Sequence, residues 1–253
     1  MNIIVCAKQV VDVSEIKVDP NTKKPILQGI PQKISDIDKN ALEEAIKIKE
    51  KHTGKITVIT AGPANAKERI KELLAMGADE GVLVILPEKS DYHVTSNLLA
   101  SAIKKIGKYD IILCGEASID MFSGQIGPRL AGILNIPQIT YAQKLNVEKD
   151  KVTAERNMGE LSVTTESTYP VLVTVTKETN EPRLPSLMQI LGAASKPISE
   201  WSADSLVSTL KPLIDTIELK GVPMTRKNII FKDDIDESIG KLVDNLTKEG
   251  VLR

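Results

Sequence analysis

Residues Ile111–Leu134, reading IILCGEASIDMFSGQIGPRLAGIL, carry the pattern that decides the fold. The stretch opens with four apolar residues, short and bulky enough to predict a buried parallel strand, which Gly115 ends. A polar loop, Glu116–Ser123, follows, and an apolar stripe then predicts a helix. A loop that leads from a strand into a helix points free backbone N–H groups and the positive end of the helix dipole at an anion. The helix start, with Ser123, Gly124, Gln125 and Gly127, is therefore a candidate phosphate site, although the same turn is a plain connection in many α/β proteins.

Further strand–helix units precede that stretch. Strands are predicted over Ile3–Ala7, Lys55–Thr60 and Gly81–Leu86, with helices that begin near Asp38, after Gly62 and at Val94. Each right-handed crossover returns the chain beside an existing strand, so four such units predict a doubly wound, mostly parallel sheet.

The ends of the central strands predict where a ligand binds. In the usual strand order, 3-2-1-4-5, the strands that end at Cys6 and Cys114 are neighbours, and ligands bind at the carboxyl edge of such sheets. The Gly62 loop then lies on one side of the crevice and the Asp120–Gly127 loop on the other. Lys8 is either a phosphate or flavin contact or a solvated lysine. The Rossmann GxGxxG pattern and the Walker A lysine are absent, which disfavours a nicotinamide or P-loop site.

The second half of the chain has a different residue pattern. Short runs rich in Val, Thr and Ile predict an antiparallel β layer. These runs are Ile139–Leu145, Lys151–Arg156, Leu161–Glu166 and Val171–Thr176. We expect a nucleotide-binding domain over residues 1–198 and a C-terminal arm over 199–253. The arm has few core positions and therefore needs another surface, for which a partner subunit is one candidate.

Two local features near the amino terminus carry predictions of their own. The segment Val11–Ile30 lacks helical periodicity, and Pro20-Asn21-Thr22 predicts a hairpin turn within it. Asp36 and Asp38 are N-cap candidates for the following helix, and a role in ligand binding is the alternative.

Composition excludes several classes of function. The 253 residues carry 33 Lys and Arg against 34 Asp and Glu, and this balance suggests neither nucleic acid nor an acidic membrane as partner. The two cysteines and two histidines form no metal-type spacing, so we expect no metal, no disulfide framework and a reducing, cytoplasmic location. No signal-type segment or bilayer span is predicted, and no nucleophilic triad is found. An enzyme of the ATP-pyrophosphatase type is disfavoured, because it needs a glycine–serine phosphate loop after the first strand, where this chain has Ala7-Lys8-Gln9-Val10.

Several motifs, in order and spacing, resemble one known family. They are Val5-Cys6-Ala7-Lys8-Gln9-Val10, Ala41-Leu42-Glu43-Glu44-Ala45, Thr60-Ala61-Gly62-Pro63, Ala75-Met76-Gly77-Ala78-Asp79, Gly115-Glu116-Ala117-Ser118-Ile119-Asp120, Gln125-Ile126-Gly127, Asn180-Glu181-Pro182-Arg183 and Lys196-Pro197-Ile198. Together they resemble the β subunit of electron-transfer flavoprotein, from Val5 to about Ile198. The resemblance implies a doubly wound, adenine-nucleotide α-hydrolase-like α/β fold with a small antiparallel β layer and a C-terminal arm.

The family resemblance also implies a partner and a nucleotide site. The partner is an electron-transfer flavoprotein α subunit that carries a redox-active FAD, and the β subunit itself binds AMP or a second FAD. By position, the cofactor-binding residues would be Cys6, Ala7, Lys8, Ser35, Asp36, Asp38, Ala61, Gly62, Gly115, Asp120, Ser123, Gly124, Gln125, Ile126, Gly127 and Leu130. The family often has Asn-Pro in place of Ser35-Asp36 and Asn-Gln-Thr-Gly or similar in place of residues 124–127, which puts single side-chain contacts in doubt but not the backbone contacts.

The start of the third predicted helix favours FAD over AMP in this site. Members that resemble the electron-bifurcating type have Asp-x-x-Ala-Thr-Ser where this chain has Asp91–Ser96, and Thr95 and Ser96 would offer donors to a flavin edge. Ordinary N-cap hydroxyls are the alternative. The expected function is electron transfer between a donor such as NADH and a partner dehydrogenase or ferredoxin, by flavin-based electron bifurcation. A non-bifurcating carrier with structural AMP and a non-redox regulatory module stay open.

Leu187 is the candidate anchor for a partner dehydrogenase. It follows the segment 180–185, where the resemblance places a recognition loop, and an exposed leucine before a short helix could fill a pocket of a flavin-dependent dehydrogenase. Packing of Leu187 under its own loop is the alternative.

Overall fold

The structure is a computed structural model that describes residues 1–221 and 227–252. These residues form strands of very different lengths. In chain order they are β1 (Asn2–Cys6), β2 (Gln9–Val11), β3 (Lys17–Val18), β4 (Pro25–Ile26), β5 (Gln32–Ile34), β6 (Lys55–Gly62), β7 (Glu80–Ile85), β8 (Ile111–Gly115), β9 (Gln138–Val147), β10 (Lys151–Asn157), β11 (Ser162–Thr168), β12 (Val171–Val175) and β13 (Ile198–Ser202).

The helices alternate with the strands in the first half of the chain. They are α1 (Asp36–His52), α2 (Lys67–Met76), α3 (Tyr92–Ile106), α4 (Ile126–Leu134), α5 (Leu187–Ala193) and α6 (Ile235–Lys248). The prediction that Asp36 or Asp38 caps α1 is wrong. The N-cap is Ser35, so both aspartates lie in the first turn, where the positive end of the helix dipole favours acidic side chains.

The main sheet has the predicted order of its central strands. Nine strands are hydrogen-bonded in the order β11-β10-β9-β12-β8-β1-β6-β7-β13. Its parallel core, β7-β6-β1-β8-β12, is the predicted 3-2-1-4-5 arrangement, with Cys6 paired in register to Cys114. The doubly wound, mostly parallel fold is confirmed. Residues of α1, α2 and α5 pack on one face of the sheet, and residues of α3 and α4 pack on the other.

The antiparallel strands extend the main sheet. β10 runs antiparallel to both β9 and β11, as predicted. The run Val171–Thr176 differs, because β12 runs parallel to β8 and to β9. All five residues of β12 are buried, and a strand buried on both faces is typical of the middle of a parallel sheet. The small two-stranded sheets are β2–β5, which is antiparallel, and β3–β4, whose turn lies at the predicted residues 20–22.

The chain divides into two compact units. The first comprises Met1–Lys17 and Ile26–Glu218. It extends past the expected boundary after residue 198, because β13 pairs with β7 and the apolar residues of the next turn pack on the α3–α4 core. The second unit comprises Val18–Pro25 and the described residues from Leu219 onward.

The second unit contains one long amphipathic helix. Asp234 caps α6 by accepting a hydrogen bond from the Glu237 N–H at 3.1 Å. Its apolar residues Ile235, Ile239 and Leu242 are exposed. That the arm rests on a partner subunit stays a prediction. No helix in the described ranges has both the length and the apolar composition needed to cross a membrane.

Candidate functional site

A cavity of about 770 Å³ lies in the first unit, where the central strands end and α3 and α4 begin. Its size falls in the range of small-molecule and cofactor sites. Most of the residues predicted for the nucleotide site line it. They are Cys6, Ala7, Lys8, Asp38, Ala61, Thr95, Gly115, Ser123, Gly124, Gln125, Ile126 and Gly127.

The remaining predicted residues lie outside the cavity lining. Gly62 ends β6, and Leu130 is buried in the α3–α4 core. Asp36 forms an ion pair with Lys33 at 3.0 Å and is half exposed. The hydroxyl of Ser35 accepts a hydrogen bond from the N–H of Ile119 at 3.4 Å.

Ser96 also lies outside the lining, unlike its neighbour Thr95. Its buried hydroxyl donates to the Tyr92 carbonyl at 2.7 Å, within its own helix. Of the two hydroxyls predicted to face a flavin, only that of Thr95 belongs to a cavity-lining residue.

The cavity has lining residues that sequence reasoning missed. Leu86 and the residues 88–91 follow β7, so the rule that ligands bind at strand ends could have found them. The segment of Pro212, Ile214, Asp215 and Thr216 also lines the cavity. No sequence motif in this segment indicates a ligand site, and its position at the cavity is seen only in the folded structure.

The start of α4 presents unpaired donors to the cavity. Among the described residues, none of the five backbone N–H groups from Ser123 to Gly127 has a protein acceptor. Gly124 adopts a φ of +62°, which a side chain would strain. Gly127 lets α4 approach β12, because a Cβ there would lie 2.5 Å from Thr174 Cγ2. Clustered N–H groups at a helix start suit a phosphate.

Lys8 and Asp120 form an ion pair at the rim of the cavity. The Lys8 ammonium donates to the two carboxylate oxygens of Asp120 at 2.7 and 2.9 Å. Burial raises the pKa of Asp120, but the hydrogen bonds from Lys8 and Ser118 and the positive charge of Lys8 together outweigh burial and hold this pKa below its usual value. Asp120 does not line the cavity itself, but it is paired with Lys8, which does.

Asp38 joins the two central strands at their carboxyl ends. Its carboxyl group accepts from the Lys8 N–H at 2.9 Å and from the Gly115 N–H at 3.1 Å. A Cβ at position 115 would lie 2.6 Å from Asp38 Oδ1, so only glycine fits there. Burial raises the pKa of Asp38 to about 7, against the lowering effect of the two N–H donors. The first turn of α1 thereby shapes the cavity wall.

Two thiols form part of the cavity wall. Cys6 and Cys114 are free, buried and paired in register on β1 and β8. The hydrogen bond with Cys6 and burial raise the pKa of the Cys114 thiol, which therefore stays protonated and uncharged at neutral pH. In residues 1–221 and 227–252, no group of three or more His, Cys, Asp and Glu side chains is arranged to hold a metal.

A second feature of the first unit is the segment 180–187, which is clamped to α1. The Arg183 guanidinium binds the buried carboxylate of Glu43 through Nε and Nη2, at 2.9 Å each, and binds Glu50 at 2.6 Å. The amide of Asn180 donates to the Asn40 carbonyl at 3.0 Å. A bidentate Arg–carboxylate pair fixes orientation as well as position.

The clamped segment leads into the exposed helix α5. Leu187 begins this helix and is 71% exposed, so it does not pack under its own loop. Leu184, Met188 and Leu191 are exposed too, whereas Ala193 is buried. Ser186 and Gln189 form a capping box that fixes the start of the helix. The arrangement presents a fixed apolar surface.

Known proteins resemble this chain along its whole length. An electron transfer flavoprotein domain matches residues 22–206. The electron transfer flavoprotein subunit beta of Thermoanaerobacterium thermosaccharolyticum is 41% identical, and the match covers 100% of each chain. Subunit CarD of the caffeyl-CoA reductase–Etf complex of Acetobacterium woodii is 39% identical, with 81% of this chain and 80% of that protein covered. The acryloyl-CoA reductase electron transfer subunit gamma of Anaerotignum propionicum is 34% identical, over 99% of this chain and 95% of that protein. The chain therefore belongs to the family of electron-transfer flavoprotein β subunits.

Proposed function

We propose that the chain pairs with an electron-transfer flavoprotein α subunit and binds FAD in the cavity at the carboxyl edge of its sheet. The heterodimer passes electrons from a donor such as NADH to a flavin-dependent dehydrogenase and to ferredoxin, by flavin-based bifurcation. The observation that carries the proposal is the extent of the cavity, about 770 Å³ between the start of α4 and the start of α3.

The two ends of the cavity suit the two ends of a dinucleotide. The unpaired N–H groups of residues 123–127 would hold phosphate oxygens, with the Lys8 ammonium at the same rim. Towards the start of α3 the lining includes Leu86, Tyr92 and Leu99, which would contact a ring system. When bound, FAD would supply the electron-transfer chemistry. The side chains of this chain would bind and orient it, and the thiols of Cys6 and Cys114 would form part of the wall.

The docking partner is proposed from the exposed surface of α5. Leu187 and its neighbours form a small apolar surface on a clamped segment, and such residues anchor protein interfaces when a partner pocket encloses them. Two relatives are named as parts of caffeyl-CoA and acryloyl-CoA reductase systems. These names support a dehydrogenase or reductase of CoA thioesters as the partner.

AMP is the second candidate for the cavity. It is favoured by the observation that the Ser96 hydroxyl bonds within its own helix, so that of the two hydroxyls predicted to face a flavin only that of Thr95 is left to do so. A heterodimer with AMP in this subunit would be a non-bifurcating carrier. A regulatory module without redox chemistry would carry no flavin at all.

One measurement separates these alternatives. The chain is co-expressed with its α subunit, and the purified heterodimer is extracted with acid and analysed by chromatography. We expect close to two FAD per heterodimer, whereas one FAD with one AMP would refute FAD binding here, and the absence of flavin would favour the regulatory module. Bifurcation is then tested as NADH-driven reduction of ferredoxin that depends on the high-potential acceptor.

A further inference from the structure

The segment 211–217 contributes residues to the cavity wall, but none of its residues belongs to a hydrophobic cluster. Leu206, Val207 and Leu210, just before it, pack on the α3–α4 core. Within the segment, by contrast, Leu213 is 74% exposed and Ile214 is 65% exposed. Burial of apolar area therefore contributes little to holding the segment in place.

Asp91 supplies the attachment instead. Its Oδ2 accepts from the Leu213 N–H at 2.8 Å and from the Ile214 N–H at 3.2 Å. These are the only hydrogen bonds that residues 211–217 make to described residues. The other oxygen of Asp91, Oδ1, accepts from the Val94 N–H at 2.8 Å and so caps α3. One carboxylate thus connects a helix start to a segment more than a hundred positions later in the chain.

The attached segment contributes directly to the cavity wall. Pro212, Ile214, Asp215 and Thr216 line it, as do Asp91 itself and Tyr92. Its hydrogen bonds to Asp91 place the segment at the α3 side of the cavity. A nucleotide with its phosphates at α4 would place its ring system towards this segment.

We propose that residues 212–216 form a strap that retains the nucleotide, and that Asp91 is the positioning residue that fastens it. The inference rests on the proposed function, because it requires an adenine nucleotide in the cavity. A ligand at the α3 end leaves only after the strap detaches, so the strength of the two Asp91 bonds controls the rate of dissociation.

Two variants detach the strap by independent routes. Asp91→Ser keeps a hydroxyl that can cap α3 but removes the acceptor for Leu213 and Ile214. Leu213→Pro removes the N–H of the shorter bond and leaves α3 intact. The matched controls are Asp234→Ser, which changes the same residue type at the N-cap of α6, and Ile217→Pro. The Ile217 side chain is 99% exposed, and its N–H has no acceptor among the described residues.

The readout is the rate at which adenine nucleotide leaves the purified heterodimer. Excess AMP or FAD, whichever the protein does not carry, is added as competitor, and the nucleotide retained after timed gel filtration is extracted and quantified. Loss of a charge-assisted hydrogen bond predicts dissociation about tenfold faster in both strap variants and a rate within about twofold of the unaltered protein in both controls.

The outcomes keep the two proposals apart. Unchanged rates in both strap variants, or equal acceleration in Ile217→Pro, would overturn the strap while leaving the nucleotide site in place. AMP in place of FAD would refute the proposed cofactor, yet its release still tests the strap. A heterodimer without any adenine nucleotide would overturn both proposals. If Asp91→Ser lowers the melting temperature of the protein, the dissociation rate of Leu213→Pro alone tests the strap.

Discussion

Replacement of Asp38 by asparagine tests how the cavity wall is built. The carboxyl group is buried, and its pKa is raised from 3.8 to about 7 by that burial. A folded-state pKa above the unfolded value means that the native protein holds the proton more tightly. The contribution of this group to stability is then complete below about pH 4 and is lost as the pH rises to about 7.

The size of the effect follows from the width of that interval. Each pH unit between the two pKa values corresponds to about 1.4 kcal/mol. Ionisation of Asp38 therefore lowers the unfolding free energy by about 3 kcal/mol as the pH rises from 5 to 8. The asparagine of the Asp38→Asn variant cannot ionise and escapes this cost. Its amide can accept only one of the two N–H bonds, which lowers the unfolding free energy by about 1–3 kcal/mol at any pH. About 1.7 kcal/mol of the ionisation cost is already present at pH 5, about 1.2 units above the unfolded pKa of 3.8, and about 4 kcal/mol is present at pH 8. The variant is therefore expected to be about as stable as the unaltered chain at pH 5 and more stable than it at pH 8.

The assay is urea unfolding at the two pH values, followed through the fluorescence of Trp201, the single tryptophan of the chain. Trp201 lies in β13 of the main sheet, so its signal reports on the unit that contains Asp38. Asp36→Asn, a half-exposed aspartate in the same helical turn, controls for loss of a negative charge. A difference between Asp38→Asn and the unaltered chain that is the same at both pH values would refute the reasoning.

Three other predictions concern docking, helix packing and the arm. Leu187→Ala should slow electron transfer to the dehydrogenase about tenfold without a change in flavin content. Leu161→Ala, which alters a similarly exposed leucine elsewhere, should leave the rate unchanged. Equal rates for the two variants in stopped-flow experiments would refute the docking role of Leu187. Gly127→Ala should lower the unfolding free energy by about 1–3 kcal/mol through its clash with Thr174, whereas Gly132→Ala, with nothing within 4 Å of the added Cβ, should be neutral or stabilising in the same urea titration. Trypsin should cleave the arm after residue 218 faster in the isolated chain than in the heterodimer, and equal protection in both would show that the arm folds without the α subunit.

The features that could be predicted from the sequence are those set by local patterns. Four strand–helix units and right-handed crossovers determine the order of the central strands, and that order brings Cys6 and Cys114 together. The direction of β12 was missed because its residues were grouped with the β-branched runs before it. All five residues of β12 are buried, as is typical of a central parallel strand, and the sequence signal for this was a nearly continuous apolar run without polar alternation.

Long-range polar contacts could not be predicted in the same way. Asp38 and Asp91 both look like ordinary aspartates at a helix start, a position where caps are common. What distinguishes them is a partner far along the chain: Gly115 for Asp38, and Leu213 and Ile214 for Asp91. No periodicity marks such partners, because a backbone N–H carries no sequence signal.

The separation of the two helix layers has a consequence for redesign. The buried side of α5 belongs to the hydrophobic cluster that contains α1 and α2, whereas the cavity lining, apart from Ala7 and Asp38, comes from the ends of the strands, the loops that follow them and the α3–α4 layer. Substitutions on the exposed side of α5 therefore have no shared packing with the cavity, and distant sites without shared partners contribute nearly independently to stability. Under the proposed function, a library that varies Leu184, Leu187, Met188 and Leu191 is expected to change the choice of redox partner while it leaves nucleotide binding unchanged.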